Sequence, residues 1–101
     1  MEDAEEEMQV EVEHSTKFLT RGDGLRHDFS TADSARRRRL LRGVWENERA
    51  LLEAMREAEA TGLPREYMEK AIRVQLALSV ARTELEADYE RLEGTRREPL
   101  D

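Results

Sequence analysis

The residue types that most often catalyse reactions or bind metals are few in this chain, and they are not grouped. The sequence has no cysteine, and its two histidines, His14 and His27, lie near Asp23 and Asp28 without the spacing of a metal site. The serines and histidines show no grouping that suggests a nucleophile with its base, and the carboxylates have the spacing of exposed helix faces. We therefore expect no enzymatic activity, no metal and no other cofactor.

A cluster of arginines is the most conspicuous local feature. This arginine collar consists of Arg36, Arg37, Arg38, Arg39 and Arg42. On a helix, four consecutive side chains point in nearly all directions and surround the helix with positive charge. Such a collar can contact phosphates or an acidic protein surface. We favour the other interpretation, a solvated helix end whose guanidinium groups pair with Asp33, Glu46 or the acidic N-terminus, because charge runs are usually solvated faces.

The negative charge of the chain is concentrated at its N-terminus. The sequence has 17 Lys+Arg and 24 Asp+Glu, which gives a net charge of -7. Seven of the acids and none of the bases fall within residues 1–13, so the rest of the chain is electrically balanced. A neutral body disfavours nucleic acid as a partner. The acidic tail could occupy the arginine collar and compete with other anions.

Targeting signals are absent from the sequence. No apolar run approaches the length of a membrane span, and the first residues are acidic, whereas a secretion signal is basic and then apolar. Together with the lack of cysteine, these features predict a cytoplasmic protein with no membrane partner and no small-molecule substrate. Arg21-Gly22-Asp23 matches an integrin-recognition tripeptide, and we interpret it as a turn.

Apolar spacing predicts two long helices that fold back on each other. Steps of three and four residues link Tyr67, Ala71, Val74, Leu78, Ala81 and Leu85 in the second helix. The same rhythm links Leu41, Val44, Leu51, Met55 and Ala58 in the first. Glu48 occupies one position of that seam, where it either splays towards solvent near Arg49 and Arg82, as we expect, or fixes the register of the two helices. Gly62 and Pro64 suit a helix end and a helix start. The predicted fold is mainly α, an antiparallel hairpin of residues 31–61 and 64–93 paired into a four-helix bundle.

The segments outside the hairpin differ from it in composition. Residues 1–9 are acidic and of low complexity, and we expect them to be disordered. Residues 10–29 alternate in polarity around Gly22 and Gly24, which predicts an extended or β-hairpin arm. A hydroxyl cap at residues 30–33 then predicts the start of the first helix. Residues 94–101 are expected to form a polar tail.

The layout of residues 17–93 resembles part of the PadR-like winged-helix regulators. In this resemblance Lys17 to Phe29 corresponds to a β-turn-β wing, and Leu25 to Thr31 to the wing strand that runs into a helix. The two long helices correspond to that family's dimerisation helices. The sequence upstream of Lys17 has no room for the family's helix-turn-helix, so the resemblance implies no DNA-binding residue.

A second apolar edge predicts an association surface. The residues of this edge are Trp45, Leu52, Met68, Ile72, Leu76 and Val80. One antiparallel neighbour cannot cover so much apolar surface. The edge can be the core of a homodimeric bundle, a docking face for a different protein, or a surface covered by the N-terminal segment. We therefore expect a non-enzymatic protein–protein interaction module of the adaptor, assembly or inhibitor type. The alternative is a small nucleic-acid-binding transcriptional regulator that presents the arginine collar on a dimeric bundle.

Overall fold

The computed structural model describes residues 3–94, and residues 1–2 and 95–101, with most of the predicted polar tail, lie outside this range. Four helices pack against one another: α1 (Ala4–Leu19), α2 (Leu25–Thr31), α3 (Ser34–Ala60) and α4 (Glu69–Glu93). A 3-10 turn (Arg65–Met68) precedes α4. The prediction of a mainly helical chain is confirmed, and residues 3–94 contain no strand.

The start of α3 lies a few residues later than the sequence predicts. The Asp33 carboxylate accepts a hydrogen bond of 2.8 Å from the Arg36 N–H and so caps the helix. The hydroxyls of Ser30 and Thr31 instead donate to the His27 carbonyl at the end of α2. The predicted hydroxyl cap therefore belongs to the end of the preceding short helix.

The reversal between α3 and α4 follows from Gly62. Its positive φ of 86° lets the Leu63 N–H donate to the Ala58 carbonyl at 3.1 Å and the Gly62 N–H to the Glu59 carbonyl at 3.0 Å. This pair of bonds is a Schellman motif, which satisfies carbonyls that the helix end leaves free. After Pro64 the chain makes the 3-10 turn, so α4 begins at Glu69 and not at residue 64.

The predicted extended or β-hairpin arm at residues 10–29 is wrong, because this segment forms α1 and α2. Asp3 caps α1, and Met8, Val12 and Ser15 are buried at steps of four and three. These side chains cover apolar surface of α3 and α4 that two paired strands could not reach along its length. The wing strand of the winged-helix resemblance is likewise absent from the described residues.

The N-terminal segment is an ordered helix from residue 4 onward, where the sequence predicts disorder up to residue 9. Met8 is 1% exposed and packs in one core cluster with Leu51, Ala58 and Met68. Burial of such side chains contributes about 1.5–3 kcal/mol each, which offsets the cost of ordering the acidic first turn. Because Phe18 contacts Gly43 while Glu7 lies beside Glu57, α1 runs antiparallel to α3.

Helix α2 closes the end of the bundle where α3 begins and α4 ends. Its two buried side chains, Leu25 and Phe29, join Leu40, Val44, Leu85 and Tyr89 in a second core cluster. The rings of Phe29 and Tyr89 lie 6.5 Å apart between centroids and are tilted by 59°. Among residues 3–94, no helix is long and apolar enough to cross a lipid bilayer.

Candidate protein-interaction surface

Helices α3 and α4 have one side that the rest of the chain leaves open. Helix α1 packs on α3 at Gly43, and α4 bonds to α3 at Glu48. Neither α1 nor α4 covers Trp45 and Leu52 of α3, which are 53% and 38% exposed. Large apolar side chains therefore remain in solvent on the side of the hairpin that α1 and α2 do not cover.

A polar bridge joins α3 to α4 beside these apolar side chains. The Glu48 carboxylate accepts hydrogen bonds from Arg82 Nε at 2.7 Å and from Gln75 Nε2 at 3.3 Å. The hydrogen bond with Glu48 raises the pKa of the Arg82 guanidinium above its ordinary value, so Arg82 stays charged at neutral pH. The expectation that Glu48 splays into solvent is wrong, since its side chain is only 13% exposed.

The outer side of α4 carries a regular line of exposed residues, here called the α4 stripe. Its members are Arg73, Leu76, Val80, Thr83, Ala87 and Glu90, all of them exposed. Their steps of three and four keep them on one side of the helix. Leu76 and Val80, two large apolar residues of this helix, are 56% and 58% exposed. The middle of the stripe is uncharged, and its two ends carry opposite charges.

The outer side of α3 carries a line of different character, here called the α3 stripe. Its members are Arg38, Arg42, Trp45, Arg49, Leu52 and Arg56, again all exposed. The steps of four and three resemble those of the α4 stripe, but four of the six residues are arginines. An open groove of about 680 Å³ lies between this stripe and Arg82. Apolar and cationic groups therefore alternate along a recess.

The six residues of the predicted apolar edge are divided between three environments. Met68 is buried in the core cluster that also contains Met8 and Val12 of α1, and Ile72 is half-buried against the same cluster. Leu76 and Val80 belong to the α4 stripe, and Trp45 and Leu52 to the α3 stripe. Coverage by the N-terminal segment, one of the three alternatives raised by the sequence, thus applies to the beginning of this edge and leaves the remainder exposed.

The arginine collar is also divided, because Arg37 lies inside the fold. Its guanidinium donates to the carbonyls of Phe29 and Ser30, both at 3.0 Å, and to the Glu93 carboxylate at 2.7 Å. It therefore caps α2 and ties α3 to α4. The other four collar arginines (Arg36, Arg38, Arg39 and Arg42) are exposed and make no ion pair within residues 3–94.

The acidic end of α1 does not reach the collar in the described part of the chain. Glu7 and Glu11 line a shallow groove with Ala50 and Glu57, in the C-terminal half of α3. Along α3, Ala50 and Glu57 are eight and fifteen residues from Arg42, which corresponds to about 12 and 22 Å. For the acids from Asp3 onward, the idea of a built-in competitor at the collar is therefore wrong.

One buried polar site has no counterpart in the sequence analysis. Asp88 is 3% exposed and receives two hydrogen bonds from Arg26 of α2, at 2.8 and 3.0 Å, and one of 3.3 Å from Arg91. The bonds from Arg26 outweigh burial and hold the pKa of Asp88 below its ordinary value. In the sequence, the one sign of this site is that Asp88 follows the seam residue Leu85 by three positions, which places its carboxylate on the inner side of α4. The site fastens α2 to α4.

The described residues contain no converging set of three or more His, Asp or Glu side chains that could hold a metal ion. His14 lies 3.8 Å from Glu11 and His27 lies 3.9 Å from Asp23, each an exposed pair within one turn. No protein-family model matches the chain, and no curated protein or solved structure shows significant similarity to it. Its function must therefore be inferred from its own surfaces.

Proposed function

We propose that this protein is a non-enzymatic protein–protein interaction module that pairs with a second copy of itself through the α4 stripe. The observation that carries the proposal is the exposure of Leu76 and Val80 on a helix whose opposite side is fully packed. Exposed apolar side chains in a regular line on a long helix are typical of a surface that another helix covers. Two copies joined in this way would bring four long α3 and α4 helices into one bundle.

The order of residues along the α4 stripe favours an antiparallel pair of identical helices. With the two-fold axis between residues 81 and 82, Val80 lies opposite Thr83 of the second copy, and Leu76 lies opposite Ala87. At each end Arg73 lies opposite Glu90 of the second copy. A two-fold interface must be self-complementary, and this register pairs apolar with small residues and cation with anion.

The nucleic-acid alternative has weaker support. Arg37 is occupied within the fold, which removes one cation from the collar. Glu46 and Glu53 are exposed directly beside the α3 stripe, where they would repel a continuous phosphate backbone. The four exposed collar arginines remain available to a partner whose charge is patterned.

The mass in solution across a dilution series tests the proposed self-association. We expect a dimer that dissociates on dilution, and we expect the double variant Leu76→Glu/Val80→Glu to be a monomer, because four carboxylates would be buried in the interface against Ala87 and Thr83 of the second copy. Light scattering coupled to size exclusion measures the mass, and circular dichroism checks that the helices persist. Both positions are exposed, so the substitutions spare the core.

A matched control keeps the outcome interpretable. The double variant Arg65→Glu/Lys70→Glu changes charge at two exposed positions outside both stripes, and it should leave the dilution profile unchanged. A wild-type protein that is monomeric at every concentration would overturn self-association. So would a double variant of Leu76 and Val80 that dimerises as well as the wild type.

A further inference from the structure

The α3 stripe points to a second partner that the α4 stripe does not account for. We propose that it binds an acidic amphipathic helix of another protein, with apolar residues of that helix against Trp45 and Leu52 and its carboxylates against the arginines. This proposal accepts that the chain is an interaction module, but it does not require self-association, because it uses a different helix face.

The stripe has the length and spacing of a helix-binding site. From Arg38 to Arg56 it spans about 27 Å at 1.5 Å per residue, which corresponds to roughly 18 residues of a partner helix. Trp45 and Leu52 are seven residues apart, which is the repeat that a packed helix presents to its neighbour. The groove of about 680 Å³ beside them is a recess for side chains of the partner.

The charges of the stripe are available to a partner. Arg38, Arg42 and Arg56 make no ion pair within residues 3–94. Arg49 lies 3.6 Å from Glu53, but the two side chains are 83% and 63% exposed, so the pair is weak and can exchange. Four guanidinium groups around two apolar anchors are complementary to carboxylates placed around apolar residues.

A second copy of this chain is a poor occupant of the stripe. In an antiparallel pairing of two α3 stripes, Arg38 would lie opposite Arg56 of the second copy at both ends. Like charges at these positions oppose association. The α4 stripe has Arg73 at one end and Glu90 at the other, so its antiparallel pairing brings opposite charges together. The two stripes therefore differ in the class of partner that their charges favour.

The acids beside the stripe favour a protein over a nucleic acid or an anionic membrane. Glu46 and Glu53 are exposed along one side of it, and Glu48 lies on the other. A phosphate backbone or a layer of headgroups presents negative charge everywhere and would meet these carboxylates. A protein helix can place neutral or basic residues opposite them and acids opposite the arginines.

A labelled synthetic peptide tests the proposal directly. The probe is a helical peptide of about three heptads with leucine at the a and d positions, glutamate at e and g, and alanine elsewhere. A second, control peptide has lysine in place of every glutamate. Fluorescence anisotropy at low and physiological salt should show that the full-length protein binds the glutamate peptide and not the lysine peptide, and that salt weakens binding.

Charge reversal on the protein then locates the site. The double variant Arg38→Glu/Arg56→Glu should bind the glutamate peptide about tenfold more weakly and gain affinity for the lysine peptide. Circular dichroism checks that this variant keeps its helices, because an unfolded acidic chain would also attract the lysine peptide. The control variant Arg65→Glu/Lys70→Glu carries the same change of net charge and should bind both peptides as the wild type does.

Three results would overturn the proposal. One is equal or absent binding of the two peptides to the wild type, and another is an unchanged preference in the Arg38/Arg56 variant. The third is tighter binding to a DNA duplex or to phosphatidylserine vesicles than to the glutamate peptide, lost in the same variant. None of them affects the mass of the protein on dilution, which tests self-association separately.

Discussion

At the scale of single residues, the close approach of α1 to α3 depends on Gly43. A Cβ atom at this position would lie 2.7 Å from Cζ of Phe18, well inside ordinary contact. In an isolated helix, alanine would be favoured over glycine by about 1 kcal/mol. Here we expect Gly43→Ala to lower the free energy of unfolding by about 1–2 kcal/mol, because overpacking outweighs propensity. Chemical denaturation measures the change.

Gly94→Ala is the matched control for this prediction. Gly94 has a helical φ of -60°, and the nearest atom to an added Cβ is a Glu90 side-chain oxygen at 3.8 Å. Alanine there should be neutral or slightly stabilising. Adding Phe18→Leu to Gly43→Ala should recover part of the loss through relief of the contact. A Gly43→Ala protein as stable as the wild type would show that Phe18 moves aside without cost.

At the scale of elements, the attachment of α2 to α4 depends on the ionised form of Asp88. Its pKa is lowered in the fold, so the stabilisation is complete above the ordinary aspartate pKa and is lost as the pH falls through the lowered value. We expect the thermal midpoint of the wild type to fall more steeply between neutral and acid pH than that of Asp88→Asn. Calorimetry over a pH series measures both.

Hydrogen exchange tests whether the loss of stability at acid pH is localised to α2. Acid should increase exchange of the amides of α2 before those of α3, since α2 has only seven residues and the Asp88 contact is one of the few that hold it, beside Leu25, Phe29 and the cap from Arg37. Asp23→Asn is the control, because Asp23 is 87% exposed and should leave the pH profile unchanged. Equal pH slopes in the wild type and in Asp88→Asn would contradict the prediction.

The sequence predicted the two long helices, whose apolar steps continue over many turns, and missed the shorter helices α1 and α2. The hairpin was recognisable because Gly62 and Pro64 mark the reversal and long runs of apolar steps flank it. Helix α1 was not, because its inner side includes Ser15, a buried hydroxyl with no hydrogen-bond partner. With a polar residue in the seam, the local alternation from Val10 to Glu13 favoured a strand instead.

The candidate surface was predicted only where it depends on local apolar spacing. Exposed Trp45, Leu52, Leu76 and Val80 follow from counting apolar positions that one neighbour cannot cover. The burial of Met68 could not be predicted, because it depends on where α1 packs. Arg37 and Asp88 bond to residues more than fifty positions away, and such long-range pairs leave no local pattern.

At the scale of the whole molecule, charge is sorted between surfaces. The acids of α1 lie along the C-terminal half of α3, the four exposed collar arginines lie towards its start, and the α4 stripe carries one charge of each sign at its ends. Net charge alone would predict general repulsion between copies. The arrangement of charges instead supports the two proposals, that the α4 stripe pairs with itself and that the α3 stripe binds a different protein.

Charge reversal at the ends of the α4 stripe tests the antiparallel register itself. In this register every dimer has two pairs of Arg73 with Glu90 of the second copy. Arg73→Glu replaces both attractions with repulsions, and we expect the dimer to dissociate about tenfold more readily, with the same result for Glu90→Arg. The double variant Arg73→Glu/Glu90→Arg restores opposite charges at both ends and should dimerise as the wild type does. Sedimentation velocity across a dilution series measures all four proteins. A parallel or displaced pairing would bring other residues opposite these two, so the double variant would then fail to recover the affinity that each single variant loses.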